Sequence, residues 1–345
     1  MVKELLAQLS NAHGVSGSEG NIYDLIKKEL KGHVDEIRED PLGNLIAVKT
    51  GNSFKVMLAA HMDEIGLMVK FIDEKGFLRF AALGGWYGPT LYNQRVILHG
   101  TKGQCRGVIG GKPPHMMDEE ERKKGVKTDD LFIDVGASSR DEVKALGIEI
   151  GTPVTIDREF AELNGTRVTG KAFDNRVGVA MLISVLKTVK SPFTIYGVFT
   201  VQEEVGLKGA RVSAYSVEPD IAIATDVTIP GDHPGIDMKD AAVEMGKGPV
   251  ITIIDGSGRG LIADRRIVKW LTGVAEAKKI PAQVEVGVGG TTDATAIHLT
   301  RGGIPSTTIS VASRYIHSPV EVIDLRDLEA SVRLLVEALK VKPKM

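Results

Sequence analysis

The sequence predicts an α/β protein in which helices cover a mixed, mostly parallel sheet and a β-rich domain interrupts the chain. From about residue 160 to the end, apolar β-branched runs alternate with helical segments, which is typical of parallel sheets packed between helices. Between residues 66 and 158, short β-like runs separated by glycine and proline dominate, which indicates a small barrel or sandwich. The expected division is therefore 1–65 with 160–345, interrupted by 66–159.

The first segment of the chain carries two helices and two strands. Helical spacing of apolar residues predicts helices in VKELLAQLSNA and SEGNIYDLIKKELKG. Strands follow in NLIAVKTG and FKVMLAAHMD, with Gly51 and Asn52 in the turn between them. The second strand ends on His61 and Asp63.

The inserted segment contains six β-like runs and one clear helical run, SRDEVKALG. Its stretch KPPHMMDEEERKKGVKTDD (112–130) is polar and charged and has no clean periodicity. This pattern predicts a long mobile loop, a kind of loop that is uncommon in compact domains and often functional. In an oligomer, such a loop is a candidate substrate guide for a neighbouring site.

Four helices and four strands alternate in the last segment. The predicted helices are NRVGVAMLISVLKTVK, GLIADRRIVKWLTGVAEAKK, DATAIHLTRG and LRDLEASVRLLVEALK. The predicted strands are FTIYGVFTV, PDIAIATDV, AQVEVGVGG and PSTTISVAS. In parallel sheets of this kind the site lies at the carboxyl ends of the strands.

Composition excludes several classes of protein. The 345 residues carry a net charge of −2, so no basic field for nucleic acid or a membrane surface is expected. The apolar runs are shorter than the roughly 20 residues of a membrane span. Cys105 is the single cysteine, which precludes an intrachain disulfide and favours a reducing, cytoplasmic setting. Scarce glutamine and cysteine beside many Lys and Glu favour a thermophilic source.

Residues of metal-ligating types stand where the predicted strands end. They are His61, Asp63, Asp174, Glu203, Glu204, Asp226 and His317. Alone, each has an ordinary explanation as a helix cap, a turn residue or a hydrogen-bonded histidine. Gathered at one edge, the carboxylates would repel one another, and divalent cations would remove that cost. Imidazole and carboxylate without thiolate suit catalytic zinc or cobalt.

Two local patterns make structural demands. Residues i and i+2 of a strand face the same side, so the Asp63 carboxylate is expected to accept a hydrogen bond from the ring nitrogen of His61 that binds no metal. Glu203 and Glu204 are neighbours and would point to opposite faces of a regular strand. The strand must therefore end by Gln202 or Glu203, and the backbone must turn, if both are to face one centre.

The ordered set of motifs resembles the tetrahedral (TET) aminopeptidases, a family of co-catalytic dimetal peptidases also labelled endoglucanases. The matching motifs cover nearly the whole chain. They are AAHMDEIG, GKAFDNRVG, VQEEVGLKGA, ATDVT, GGTTDATAIHL and SRYIHSP. The resemblance implies an aminopeptidase that removes N-terminal residues from short peptides by means of two divalent metal ions, zinc or cobalt.

The resemblance also implies roles for individual residues. Asp174 would bridge both metals, with His61 and Asp226 completing the ligands of one and Glu204 and His317 those of the other. Glu203 would be the general base, and Asp63 the partner of His61. The bond between Asp174 and Asn175 would be a cis peptide.

The implied fold is a phosphopeptidase-like α/β domain interrupted by a PDZ-like β-barrel that makes dimer contacts. The implied assembly is a tetrahedral homododecamer built from dimers. The sequence leaves open the preferred N-terminal residue, the choice between zinc and cobalt, and whether Gly289 and Gly290 line the substrate site or form a tight turn.

Four other functions fit parts of the pattern. An N-acyl amino-acid deacylase or a carboxypeptidase-type hydrolase would use the same metal core. A metal-holding binding module would not need the free carboxylate of Glu203. A glycosidase could use two carboxylates as acid and base, but it would leave His61 and His317 without a role.

Overall fold

The computed structural model describes residues 2–344, apart from the side chains of Glu121 and Lys124. Its helices alternate with strands over most of the chain. They are α1 (Val2–Asn11), α2 (Gly20–Leu30), α3 (Gly88–Leu91), α4 (Glu119–Lys124), α5 (Arg140–Ala145), α6 (Phe173–Thr188), α7 (Lys208–Val217), α8 (Arg265–Ala277), α9 (Asp293–Ile297) and α10 (Leu325–Ala338).

The strands of the α/β part form one sheet, which has eleven strands within residues 2–344. They are β1 (Glu36–Glu39), β2 (Leu45–Lys49), β3 (Asn52–His61), β10 (Ala161–Glu162), β11 (Arg167–Gly170), β12 (Phe193–Thr200), β13 (Ile221–Thr228), β14 (Val250–Ile254), β15 (Gln283–Val286), β16 (Ser306–Arg314) and β17 (Glu321–Asp324).

The remaining strands close into a separate barrel. They are β4 (Gly66–Ile72), β5 (Leu78–Leu83), β6 (Arg95–Gly100), β7 (Gly103–Gly110), β8 (Phe132–Asp134) and β9 (Pro153–Ile156). Their inward-facing residues, among them Leu67, Val96 and Ile133, form a hydrophobic core of their own. The barrel strands fall inside the predicted insertion of residues 66–159, and their role in a dimer stays a prediction.

The main sheet is mixed, which confirms the predicted fold class. Its order is β1-β2-β12-β3-β13-β16-β17-β11-β10, with β14 joined to β16 and β15 joined to β14. The central strands β12, β3, β13 and β16 are parallel, and the outer pairs are mostly antiparallel. The central strands are also the most buried, because helices cover them, as the continuous apolar runs predicted.

The sequence patterns missed several elements. β1 is largely exposed and pairs only with β2 among the described residues, so its sequence, EIRE, has no apolar alternation to reveal it. The buried face of α7 includes Gly209, Ala210 and Ser213, small residues that give little hydrophobic signal. β10, β11, β14 and β17 are also unpredicted.

Helix boundaries follow local hydrogen bonds. α8 begins at Arg265, five residues later than predicted, because the Asp264 side chain accepts a hydrogen bond from the N–H of Arg266 and caps the helix. The stretch 112–130 is not structureless, since it holds α4 and two 3₁₀ turns. Glu119 and Lys123 form an ion pair of 2.9 Å at i, i+4 spacing in α4. The predicted mobility of this stretch stays a prediction.

A threonine hydroxyl joins the N-terminal segment to the barrel. Thr155 Oγ1 lies 2.9 Å from Nδ1 of His13 and 2.9 Å from Nε2 of His99. The two imidazole rings are 5.1 Å apart between centroids. Over residues 2–344, none of the helices has both the length and the apolar character to cross a bilayer.

Candidate metal centre

The predicted site residues gather at the carboxyl ends of the parallel strands. A cavity of about 550 Å³ opens there, and all five predicted metal ligands and Glu203 line it. Asp63 does not line the cavity and lies fully buried beside it. Residues from four strand ends and the start of α6 thus meet in one place, as the parallel topology predicts.

Asp174 connects the two histidines of the site. One carboxylate oxygen, Oδ1, lies 3.1 Å from Nε2 of His61, and the other, Oδ2, lies 3.3 Å from Nε2 of His317. The peptide bond between Asp174 and Asn175 is cis, which confirms the expectation from the family resemblance. A carboxylate that offers one oxygen to each side is suited to bridge two ions.

Two ligand sets share this aspartate. Potential ligand atoms of His61, Asp174 and Asp226 lie within 4.8 Å of one another, and so do those of Asp174, Glu204 and His317. These are the two sets that the resemblance implied. A third possible set consists of His61, Glu203 and Glu204.

The electrostatics of the site show the cost of gathering carboxylates. Burial raises the pKa of Asp226 well above its usual value, and the nearby charge of Asp174 raises it further. Burial also raises the pKa of Glu203 and of Glu204. Burial alone would lower the pKa of His317, but hydrogen bonds to Asp174 and Glu204 raise it to about 11.

The donor set fits divalent cations. Within the described residues, the buried Oε1 atom of Glu204 has no hydrogen-bond partner, and such an atom is costly unless something binds it. The remaining donors are imidazole nitrogens and carboxylate oxygens, which suit zinc and cobalt better than calcium. His61, Asp174, Glu204, Asp226 and His317 therefore remain our candidate ligands.

The two adjacent glutamates enter the cavity from a turn. β12 ends at Thr200, and Gln202 has a φ of 56°. The predicted end of the strand before Glu203 is thus confirmed. Asp63 holds the turn, because its Oδ1 accepts from the N–H of Glu203 at 3.0 Å and its Oδ2 accepts from that of Glu204 at 3.2 Å.

The expected contact between His61 and Asp63 takes a different form. β3 ends at His61, so the alternation of strand side chains does not extend to Asp63. The nearer acceptor for Nδ1 of His61 is the backbone carbonyl of Asp63, at 3.0 Å, while the carboxylate Oδ1 lies at 3.6 Å. The carbonyl orients the ring, and the carboxylate is directed at the Glu203–Glu204 turn.

Sequence reasoning missed Glu321, which supports two of the candidate ligands. This buried carboxylate accepts hydrogen bonds from the backbone N–H of Asp174 at 2.8 Å and of His317 at 3.2 Å. The available signal was a glutamate at the start of the short apolar strand EVID, four residues after His317. Asp293 was also missed, although its carboxylate is buried and accepts from the hydroxyl of Thr200.

A buried ion cluster joins the segment before the insertion to the start of α6, and sequence reasoning missed it as well. Lys171 Nζ lies 2.9 Å from Oε1 of Glu64 and 2.8 Å from its Oε2, and Arg176 lies 3.6 Å from Oε1. All three side chains are almost fully buried. The sequence feature that could have revealed the cluster is the presence of these charged residues in the motifs HMDEIG and GKAFDNRVG.

The residues left out of the predicted site lie outside the two ligand sets that share Asp174. His115 is exposed, and His298 has its Nδ1 atom 3.0 Å from the carbonyl of Ala294 in its own helix. Burial raises the pKa of the Cys105 thiol, which makes it a poor nucleophile. Gly289 and Gly290, left open between two functions, do line the cavity.

Comparison with known proteins gives a consistent result over the whole chain. The model of the M42 glutamyl aminopeptidase family matches residues 43–334. The chain is 38% identical over 344 residues to lysyl aminopeptidase of Pyrococcus furiosus. This alignment covers 98% of the present chain and 97% of the relative.

Two solved structures of similar proteins share the fold. Aminopeptidase APDkam598 of Desulfurococcus kamchatkensis matches with a TM-score of 0.95 and 45% identity, over 99% of this chain and 95% of that one. The TET1 peptidase of Pyrococcus horikoshii, described as able to form a tetrahedron or a large octahedral shell, matches with a TM-score of 0.89 and 35% identity. That match covers 99% of this chain and all of the other.

Proposed function

The chain belongs to the M42 glutamyl aminopeptidase family and is an aminopeptidase, and from this premise we propose that it uses two divalent metal ions to remove N-terminal residues from short peptides. The observation that carries the proposal is the position of Asp174 between His61 and His317. The resemblance to the TET aminopeptidases supports the same assignment.

The candidate ligands divide into two sets around the shared aspartate. His61, Asp174 and Asp226 would hold one ion, and Asp174, Glu204 and His317 the other. When bound, zinc or cobalt ions supply a Lewis-acid centre that lowers the pKa of water and stabilises negative charge on the carbonyl oxygen. Glu321 fixes the backbone of both Asp174 and His317, and so it sets the spacing of the two sets.

Glu203 is the proposed general base. It belongs to neither of the sets that share Asp174, and its Oε2 atom lies 3.9 Å from Nε2 of His61. Burial raises the pKa of the Glu203 carboxyl. A carboxyl with a raised pKa can both accept and release a proton at near-neutral pH, as a general base must. Glu203 accepts a proton from the attacking water and then delivers it to the amine nitrogen of the leaving peptide. Asp63 keeps the carboxylate aimed into the cavity.

The charge of the cavity favours recognition of an amino terminus. Carboxylates line it, and lysine and arginine are absent from its described lining residues. A carboxypeptidase commonly uses a lysine or arginine to receive the terminal carboxylate of its substrate, and the described lining has neither. A free α-amino group, in contrast, is complementary to the carboxylates. This observation favours the aminopeptidase over the carboxypeptidase-type alternative.

We propose that the chain assembles into a homododecamer built from dimers, with contacts through the barrel. The description of the TET1 peptidase as a shell-forming protein supports assembly from many copies. A measured solution mass of twelve chains would agree with the proposal, and a monomeric or purely dimeric mass would contradict it.

The central experiment compares free and blocked substrates with the metal-depleted protein. Aminoacyl 4-nitroanilides and their N-acetylated forms are assayed before and after zinc or cobalt is added back separately. We expect hydrolysis of the free forms only, and only with metal. Cleavage of the acetylated forms alone would favour the deacylase, and chelator-insensitive cleavage of a polysaccharide would favour the glycosidase.

A further inference from the structure

Two further carboxylates line the cavity away from the candidate ligands. They belong to Asp255, just after β14, and Glu285, on β15. Neither belongs to a set of three possible ligands within 4.8 Å of one another among the described residues. The cavity therefore has acidic groups that the two proposed metal ions do not explain.

The two carboxylates differ in how their oxygens are used. Asp255 is 5% exposed, and it accepts hydrogen bonds from the N–H of Leu261 and, at 3.2 Å, from the hydroxyl of Thr295. These contacts shape the loop between β14 and α8. Glu285 is half-buried, and its Oε1 accepts from the hydroxyl of Thr228 at 2.6 Å. Within residues 2–344, its Oε2 has no hydrogen-bond partner, so this atom is available to a ligand.

Glu285 lies within reach of a substrate side chain. Thr228 follows Asp226 by two residues on β13, so the two share a face with Cα atoms about 6–7 Å apart. The carboxylate of Glu285, which is hydrogen-bonded to Thr228, therefore lies roughly 6–7 Å along the cavity from the candidate ligand Asp226. On β15 the neighbouring Val284 and Val286 are exposed, which leaves Glu285 directed inward.

The surroundings of Glu285 favour a cationic ligand. Burial raises its pKa and that of Asp255, and the charge of Asp255 raises the pKa of Glu285 further. Two partly desolvated carboxylates that interact in this way are stabilised by a cation placed between or beside them. Because no third ligand among the described residues completes a metal set there, an organic cation fits better than a metal ion.

We propose that the cavity selects peptides whose N-terminal residue is lysine or arginine, with the cationic end of that side chain paired with the carboxylate of Glu285. The proposal rests on the proposed function, since the scissile carbonyl must lie at the metal centre for the side chain to point toward Glu285. An N-terminal glutamate would instead place its carboxylate against Glu285 and Asp255. An N-terminal leucine would leave the Oε2 atom of Glu285 unpaired.

The test compares four substrates on the metal-loaded protein and two variants. Lysine, arginine, leucine and glutamate 4-nitroanilides are assayed with the wild type, with Glu285→Gln and with Val286→Thr. The glutamine keeps the size of the side chain and an oxygen for Thr228, but it removes the charge. Val286 is the neighbouring residue with an exposed side chain, so its variant is the matched control.

For the wild type, we expect kcat/KM to be at least tenfold higher for lysine and arginine than for leucine, and lowest for glutamate. In Glu285→Gln, kcat/KM for lysine should fall about 10- to 100-fold, the range for a lost hydrogen bond to a charged group. The value for leucine should stay within about threefold, and Val286→Thr should match the wild type. Inhibition by free lysine should weaken in parallel, which reports binding without chemistry.

Other outcomes overturn the proposal in distinguishable ways. A wild-type preference for glutamate or leucine would refute the cationic specificity and leave the aminopeptidase intact. An unchanged lysine-to-leucine ratio in Glu285→Gln would refute the role of this carboxylate. Failure to cleave any of the four substrates would refute the proposed function itself, and the specificity with it.

Discussion

The buried carboxylate of Asp63 accepts a hydrogen bond from the backbone N–H of Glu203 at 3.0 Å. Its second oxygen accepts from the N–H of Glu204 at 3.2 Å and from the hydroxyl of Ser16 at 2.6 Å. A single side chain thus fixes the direction from which a proposed base and a proposed metal ligand enter the cavity.

Asp63→Asn should slow catalysis without emptying the metal site. An amide offers one acceptor oxygen where the carboxylate offers two, so one of the N–H groups of the turn loses its partner. We expect kcat to fall about 10- to 100-fold, as is typical when a residue that orients a metal site is changed. Metal content should stay near that of the wild type, because the contact to His61 is made by the backbone.

Ser16→Ala is the matched control for that variant. It removes a hydrogen bond to the same carboxylate but leaves both acceptors of the turn in place. Its kcat should fall less than that of Asp63→Asn. Wild-type kinetics in Asp63→Asn would show that the turn does not depend on the carboxylate.

Glu203→Gln and Glu204→Gln should separate two roles of similar side chains. A general base contributes about 10²–10⁴-fold, so Glu203→Gln should lose that much kcat and keep its metal. Glu204→Gln should lose metal instead, because it alters a proposed ligand. Elemental analysis and steady-state kinetics on the same preparations check both. More than about a tenth of wild-type kcat in Glu203→Gln would contradict its assignment.

Metal depletion should destabilise the protein as well as inactivate it. The unpartnered Oε1 of Glu204 and the mutual repulsion of the carboxylates both cost free energy when no cation is bound. At a metal concentration 100 times its Kd, one site stabilises the folded state by about 2.7 kcal/mol. Thermal unfolding should therefore shift upward on adding zinc or cobalt. His317→Ala should show a smaller shift, and no shift in the wild type would argue against the site.

Acid should weaken the contact between the N-terminal segment and the barrel. Burial, followed by the positive charge of Lys171, lowers the pKa of His13 to about 4, whereas an unfolded histidine titrates near 6.5. Between these values the unfolded chain binds a proton that the folded chain does not. The stability due to neutral His13 is therefore complete above pH 6.5 and is lost as the pH falls toward 4.

The variant His13→Asn isolates this effect from other titrating groups. An amide can still pair with the hydroxyl of Thr155, but it does not titrate. The unfolding temperature of the wild type should fall by several degrees more than that of the variant between pH 7 and pH 4. Parallel curves for the two proteins would show that His13 titrates normally.

The parts of this protein that follow from sequence are those with a local signature. Alternating apolar strands and helices predicted the central parallel sheet, and the demand that the adjacent Glu203 and Glu204 face one centre predicted the end of the strand before Glu203. Asp226 and His317 could be placed near the same edge because parallel topology fixes where strand ends lie. No long-range contact had to be known for any of these.

The features that the sequence did not predict depend mostly on contacts between residues far apart in the chain. The pairing of Glu64 with Lys171 spans 107 positions, and that of Asp63 with Glu203 spans 140. Nothing in the sequence near Glu321 indicates that its oxygens receive the N–H groups of Asp174 and His317. The strand β1 was missed for a different reason, since an exposed edge needs no apolar pattern.

The ion pair between Glu64 and Lys171 has a consequence for how this chain can diverge. It joins the segment just after His61, where the chain enters the barrel, to the segment just before Asp174, at the start of α6. The ion pair thereby ties the backbone beside His61 to the backbone beside Asp174 without using any side chain of the barrel strands. Loops of the barrel can lengthen at a cost that grows only slowly with length. Loops of the barrel can therefore change in length while the contact that ties His61 to Asp174 stays unchanged.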